Sequence, residues 1–409
     1  MSPAPPVSAG CSRRATARPV RATTPPVRAT APPVRATARL VRAVAALLLA
    51  VVLTGGCAGG DAPDPGRPAR PCPAVLATAR EAVARAERTA PWDGPTTGPR
   101  AVPGRSIVYV AATMTNPGVA GTASAVTGAA RSIGWKARVI DGQGTPAGVR
   151  AAFGQAIALR PSGIVIGGFD PGSVAQQVRQ ADQAGITLVG WHATRSPGPS
   201  ASPRLFANVT TRVEDVARLS AYWIIARSGG GAGVVVFSDS SIPFAQYKAR
   251  LIERTLLGCP GVTLLARENI PLPDAGTRTA QEASSLLSRL GDRWTYSVAV
   301  NDLYFADAAP ALRAAGRPGG GAPYAIGAGD GDPSAFERIR ARQYQAATVP
   351  EPLGAQGHQI VDELNRAFAG VPPSGYVPPV HLTTATNVGT ATSWDPPGYQ
   401  AAYERIWRP

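Results

Sequence analysis

Nine residues stand just beyond short apolar runs, and they set the chemistry open to this chain. Asn116, Asp170, Asp239, Asn301, Asp330 and Glu351 supply amides and carboxylates, and Phe169, Trp191 and Tyr304 supply rings. Carboxylates and amides exchange paired hydrogen bonds with vicinal hydroxyls. Flat rings cover the C–H side of a sugar, which suits a largely apolar pocket with a few placed polar groups. Each residue also has a plainer use. Asp170 precedes Pro171 and a helix, so it fits an N-cap, as do Asp239 and Asp302, while Asp330 between Gly329 and Gly331 fits a turn. Other chemistries find less support. There is no G-x-S-x-G elbow, no phosphate-cradling loop ahead of a lysine and no C-x-x-C pair for zinc. His192 reads as a loop residue, and the isolated His358 and His381 read as structural. Paired carboxylates for glycoside cleavage stay open as an alternative. No metal and no cofactor is expected.

The elements that position these residues alternate. Short apolar runs at 107–112, 137–141, 163–167 and 186–191 read as buried strands, and helical spacing fills 121–134, 146–159 and 173–184. A second series has strands at 233–237, 262–266, 296–300, 324–328 and 346–349. Its helices fall at 212–228, 244–257, 277–289, 306–315, 333–341 and 354–369. Crossover helices between strands imply parallel sheets covered on both faces, so the fold class is α/β. Two such series make two lobes. Ligands of open parallel sheets sit beyond the carboxyl ends of the strands, where the nine residues fall.

The chain has 409 residues, 44% of them hydrophobic, which is enough for sizeable cores. Its formal charge is +15, but the first 56 residues hold eight arginines and no acid, leaving +7 spread over the rest. A nucleic-acid partner loses its main support there. Residues 20–42 repeat Val-Arg-Ala-Thr every seven residues with prolines between, as low-complexity sequence does. Arg42 then precedes eleven apolar residues and Thr54-Gly55-Gly56-Cys57, the pattern of an export signal too short to span a bilayer. Leu-Thr-Gly-Gly before Cys57 resembles the bacterial lipobox, which implies acylation of Cys57 and an anchor on the outer face of the cell membrane. That leaves Cys72 and Cys259 as a disulfide candidate in an oxidising compartment.

Longer stretches carry a more specific resemblance. FGQAIALRPSGIVIGGFDPGSV followed by QADQAGITLVGW, then SVAVNDLYFADAAPALRAAG, YAIGAGDGDPSAFERI, QAATVPEPLGAQGHQIVDEL and TTATNV, resemble in order and spacing the periplasmic-binding-protein type I family, in particular its ribose- and galactose-type members. The resemblance covers residues 105–390. It implies two Rossmann-like lobes joined by a three-crossover hinge, with a sugar in the cleft. It matches Asp170, Asn301, Asp330 and Asn116 to sugar-binding positions, and Glu351 to a hinge glutamine. Two departures stand out. Gln246 or Lys248 takes the place of an arginine, and Asn116-Pro117 replaces a pair of phenylalanines.

The expected organisation is a signal and extension over 1–56, lipidated Cys and tether over 57–73, and a helix and loop over 74–104. Lobe 1 takes 105–208 with 351–380, lobe 2 takes 209–350 with 381–395, and 396–409 is a tail. The expected function is a monomeric, lipid-anchored solute receptor, not an enzyme, that delivers a small polar ligand to an ATP-binding-cassette importer. The permease and ATPase would be separate chains. A sensor module for a membrane signalling protein and an extracellular carbohydrate hydrolase are the alternatives.

Overall fold

A computed structural model describes residues 72–408. The repeats, the export signal, Cys57 and all but the last two residues of the tether lie outside the described residues.

The order along the chain is α1 (Pro73–Ala86), β1 (Ser106–Ala111), α2 (Pro117–Ser132), β2 (Lys136–Asp141), α3 (Pro146–Ala158), β3 (Gly163–Gly167), α4 (Ala175–Gln183), β4 (Thr187–Trp191), β5 (Gly198–Ala201) and β6 (Arg204–Val209). The second series has α5 (Val213–Arg227), β7 (Ala232–Ser238), α6 (Pro243–Leu256), β8 (Val262–Asn269), α7 (Ala275–Leu290), β9 (Tyr296–Ala299), α8 (Leu303–Ala314), β10 (Tyr324–Gly327), α9 (Pro333–Ala341) and β11 (Ala347–Thr348). The chain closes with α10 (Leu353–Phe368), β12 (Thr383–Thr384) and α11 (Tyr399–Trp407).

Sheet one runs β2-β1-β3-β4-β6-β5, and sheet two, read from its β8 edge, runs β8-β7-β9-β10-β11-β12. The first four places follow one plan in both: second strand at the edge, then first, third and fourth. The pairings among these strands are parallel. β3 and β9 are buried throughout, because helices cover both their faces. On one face of sheet one Ile107, Trp135 and Ile360 form a core, on the other Val110, Phe153 and Ile166. In both sheets the order reverses beside the first strand, which opens a crevice at the carboxyl ends.

Three features go beyond the sequence reading. Helix α2 starts four residues before 121, because the Asn116 side chain accepts the Val119 N–H at 3.0 Å and Pro117 takes the first helical position. The β5–β6 hairpin hides in a proline- and serine-rich stretch, where β5 is an exposed edge. Residues 396–409, read as a tail, carry α11, whose Tyr403, Ile406 and Trp407 are buried in the lobe 1 core.

The expected crossovers run near 210, near 351 and through 370–382. Two further passages lie beside them. Helix α1 packs on α5 of lobe 2, while Trp92 and Ala101 pack into lobe 1. This passage flanks the third crossover through Leu382 N–H to Ala86 O at 2.9 Å and Trp92 against Tyr376 at 5.1 Å. After Trp394, packed on Phe336 of lobe 2, the chain returns to lobe 1 beside the second crossover, where Asp395 accepts the Ala355 N–H at 2.8 Å. Cys72 and Cys259 are disulfide-bonded, with Cα atoms 5.3 Å apart, pinning the start of α1 to lobe 2. In the chain-entropy model, closing 187 residues costs the unfolded chain about 5 kcal/mol.

Among the described residues no helix is long and apolar enough to cross a membrane, and no group of three His, Cys, Asp or Glu is placed to hold a metal ion.

Candidate functional site

Lobe 2 builds its half of the cleft on two strand ends. Beyond β9 come Asn301 and Asp302, and beyond β10 comes Gly329-Asp330-Gly331. Asp330 is left-handed at φ +69°, between glycines at +131° and +64°. A Cβ on residue 331 would come within 2.2 Å of Pro350 Cβ, so glycine is required there. Asp302 is fully buried and holds this turn. Its carboxylate accepts from Gly331 N–H at 2.8 Å, Gln345 Nε2 at 2.5 Å and Thr348 Oγ1 at 3.1 Å. Burial and the nearby Asp332 push its carboxyl up to about 7. Asn301 accepts the Leu303 N–H at 3.0 Å and donates from Nδ2 to Asp330. Burial raises the Asp330 carboxyl too, opposed by His192 and Lys248. Lys248, on α6, donates to Ala328 O at 2.5 Å and Val300 O at 3.4 Å, and burial pushes its ammonium down.

Lobe 1 and the hinge supply the other half. Asn116 stands at the start of α2, and Trp191-His192 ends β4. The Trp191 indole N–H donates to Gln356 Oε1 at 2.7 Å, and Gln356 Nε2 donates to Glu351 at 2.6 Å. Thr211 Oγ1 donates to Glu351 at 2.7 Å, and His192 Nε2 lies 3.5 Å from the same carboxylate. Burial alone would raise Glu351, but His192, Lys248 and the Thr211 hydroxyl outweigh it and hold the carboxyl down at about 2. Thr211 lies on one crossover and Glu351 on the next, so this network knits the hinge.

The lobes are closed on one another. The Asp330 carboxylate lies against Gly118 at the amino end of α2, where a Cβ would be 2.5 Å from its Cγ. His192 meets Phe244 with ring centroids 5.0 Å apart, and the Arg195 guanidinium lies 4.3 Å over Tyr247. Between the lobes remains a cavity of about 60 Å³, lined by Asn116, Trp191 and His192 on one side and by Phe244, Lys248, Asn301 and Asp330 on the other. A roomier hollow of about 320 Å³ involves Trp223, Tyr324 and Ala346, but it sits at the amino ends of β10 and β11, away from this cluster. The inter-lobe cavity is the candidate site because donors and acceptors from both lobes converge there.

Residues 107–370 match a family model described as the periplasmic binding protein domain. The chain belongs to that family. Solved structures of binding proteins share its fold. An ABC transporter solute binding protein from Agrobacterium vitis with bound allitol is 18% identical, at TM-score 0.61, covering 70% of this chain and 97% of that one. The glucose-galactose binding protein GanP from Geobacillus stearothermophilus is 17% identical, at TM-score 0.62, covering 70% and 100%. An ABC transporter solute binding protein from Mycobacterium smegmatis with bound glycerol is 16% identical, at TM-score 0.60, covering 71% and 98%. No curated protein matches the chain. At these identities the likeness speaks for the fold.

Within this periplasmic binding protein, Asn116, Trp191, Asn301 and Asp330 meet at the cavity. Glu351 stands behind them, both its oxygens engaged in the hinge network. The other four residues are occupied elsewhere. Phe169 packs edge-on against Phe153 in the lobe 1 core. Asp170 is exposed and accepts the Gly172 N–H at 2.8 Å, capping a short 3-10 turn. Asp239 is fully buried and accepts from Ser241 N–H and Leu272 N–H, both at 2.8 Å. The Tyr304 hydroxyl donates to Ile270 O at 2.5 Å inside the lobe 2 core. The structure adds His192, Phe244 and Lys248 to the cavity wall. Lys248 had a signal, since it stands in the segment where the resemblance expects an arginine. His192 had only its position directly after Trp191.

Proposed function

We propose that this periplasmic binding protein is an extracytoplasmic, non-enzymatic receptor that clamps a small polyhydroxylated ligand, a sugar or polyol, between its lobes and delivers it to an ABC importer. The observation carrying this reading is the convergence of Asn116 from lobe 1 with Lys248, Asn301 and Asp330 from lobe 2 on one space between the lobes. Amide, ammonium and carboxylate together match the donor and acceptor pattern of vicinal hydroxyls. Solved neighbours that hold allitol or glycerol, and one that is a glucose-galactose binding protein, support the same class. Acylation of Cys57 anchors the receptor as a monomer, and the permease and ATPase are separate chains.

Thermal unfolding with a panel of pentoses, hexoses and polyols tests the ligand class. A ligand at a hundred times its Kd stabilises by about 2.7 kcal/mol, a shift of roughly 4 °C for a chain of this size. At least one member should produce it, and Asn301→Ala should remove it. A panel without any shift rejects the assignment. Cys57→Ser should release the protein from the membrane fraction. Retention there would reject the anchor.

A further inference from the structure

The space between the lobes, open at its mouth, is small for a sugar ring. Six heavy atoms fill a cavity of roughly 150 Å³. By that scale a six-atom triol exceeds the 60 Å³ present by about 90 Å³, and a twelve-atom hexopyranose by about 240 Å³. The space is bounded by contacts between the lobes. Asp330 rests on the Cβ-less Gly118, His192 on Phe244 and Arg195 on Tyr247. Pro273 of lobe 2 is close enough to Gly144 of lobe 1 to lie 3.5 Å from a Cβ built there. A side-chain adjustment makes the smaller difference, whereas the larger one separates these contacts.

The rings give a second, independent observation. A pyranose gains from an open aromatic face against its C–H side. Trp191 reaches the cavity with His192 stacked on it at 4.2 Å and 17°, and its N–H is held by Gln356. Phe169 and Tyr304 are in the cores, and Phe244 leans on His192. The polar groups also count out a short ligand. Asn116 spends its oxygen on Val119 and keeps its amide N–H, Lys248 keeps one of three ammonium protons, and Asp330 keeps the oxygen not taken by Asn301. With the His192 ring, whose Nε2 makes no hydrogen bond at 3.5 Å from Glu351, these groups answer three or four hydroxyls.

Building on the polyhydroxylated-ligand reading above, we propose that the cleft is fitted to a compact acyclic polyol of three or four carbons rather than to a sugar ring. Phe244 and the Asp330–Gly118 contact set the upper size limit.

Calorimetric titration of the full chain, disulfide intact, with glycerol, erythritol, ribitol and mannitol, and with ribose, glucose and galactose, tests this. Glycerol or erythritol should bind tightest, with mannitol and the hexoses at least about tenfold weaker, a difference of about 1.4 kcal/mol. Phe244→Ala should move the optimum toward ribitol or mannitol. A pentose or hexose as the tightest ligand overturns the size limit while leaving the receptor assignment standing. So does a Phe244→Ala variant that weakens every ligand equally. If no polyhydroxylated compound of either series binds, the receptor assignment falls and this inference falls with it.

Discussion

Two turns in this molecule share an Asp-Pro ending and do different work. Gly168-Phe169-Asp170-Pro171 follows β3 in lobe 1, and Asp330-Gly331-Asp332-Pro333 follows β10 in lobe 2. In both, the aspartate directly before proline caps the next helical turn. Asp170 accepts Gly172 N–H, and Asp332 accepts Ser334 N–H at 2.9 Å and Ala335 N–H at 3.1 Å. The position two residues earlier is left-handed in both, at Gly168 with φ +82° and at Asp330 with φ +69°. Lobe 1 has no side chain there, and lobe 2 has the acid that faces the cleft. In lobe 2 Asp332 takes the cap, which leaves Asp330 to face the cavity.

Substitutions at the two turns should separate these roles most widely. We expect Asp330→Ala to weaken ligand binding at least a hundredfold, about 3 kcal/mol, as loss of a charged hydrogen-bond partner does. Asp170→Ala should leave affinity unchanged and cost about 1 kcal/mol of stability as a lost cap. Equal losses of affinity in a titration of both variants would erase the distinction. Comparable in size, but in stability rather than affinity, the Asp302 carboxyl, pushed up to about 7, gives the lobe 2 turn a pH dependence. Between the unfolded value near 4 and that value, the folded state holds a proton the unfolded chain has released. Stability from this group therefore falls as pH rises across the window, by on the order of 3–4 kcal/mol in all. Denaturant unfolding at pH 4, 5.5 and 7 should show a steeper fall in the parent than in Asp302→Asn, where Glu363 and Asp395, also pushed up by burial, keep part of the slope. Parallel curves would show that this acid does not govern the turn. Gly331→Ala, at φ +64° and against Pro350, should cost about 1–3 kcal/mol and reduce affinity with it. The smallest effect belongs to Gly118→Ala. It should leave the unliganded melting temperature nearly unchanged while weakening binding several-fold, because the new methyl meets the Asp330 carboxylate. Unaltered affinity would mean the lobes need not approach so closely.

This contrast also explains what was legible in the sequence. Apolar runs and helical spacing carry the two series, since strands such as β3 are buried on both faces and can only be apolar. The positions just past the strands include Asn116, Trp191, Asn301 and Asp330, because topology alone puts strand ends at the cleft. The same logic swept in Asp170, Asp239 and Tyr304, whose hydrogen bonds close locally at Gly172, Leu272 and Ile270. Nothing in residue type separates a local bond from one across a cleft. The hairpin β5–β6 has no apolar alternation to mark it, because its edge strand carries proline and serine. Helix α11 is likewise unmarked, because its apolar residues face a core supplied by α10, nearly forty residues earlier. His192 and Phe244 are wall residues only because the lobes meet, which no local pattern records.

The two added passages alter the mechanics of the hinge. A binding protein tied by three chain segments can bend and also twist about them. Here α1 is bolted to lobe 2 through sulfur and α11 is seated in lobe 1, each strand running alongside an existing tie. Five ties along one border resist torsion and leave bending as the easy motion. An opening of the cleft by that bending would part the rim opposite the ties.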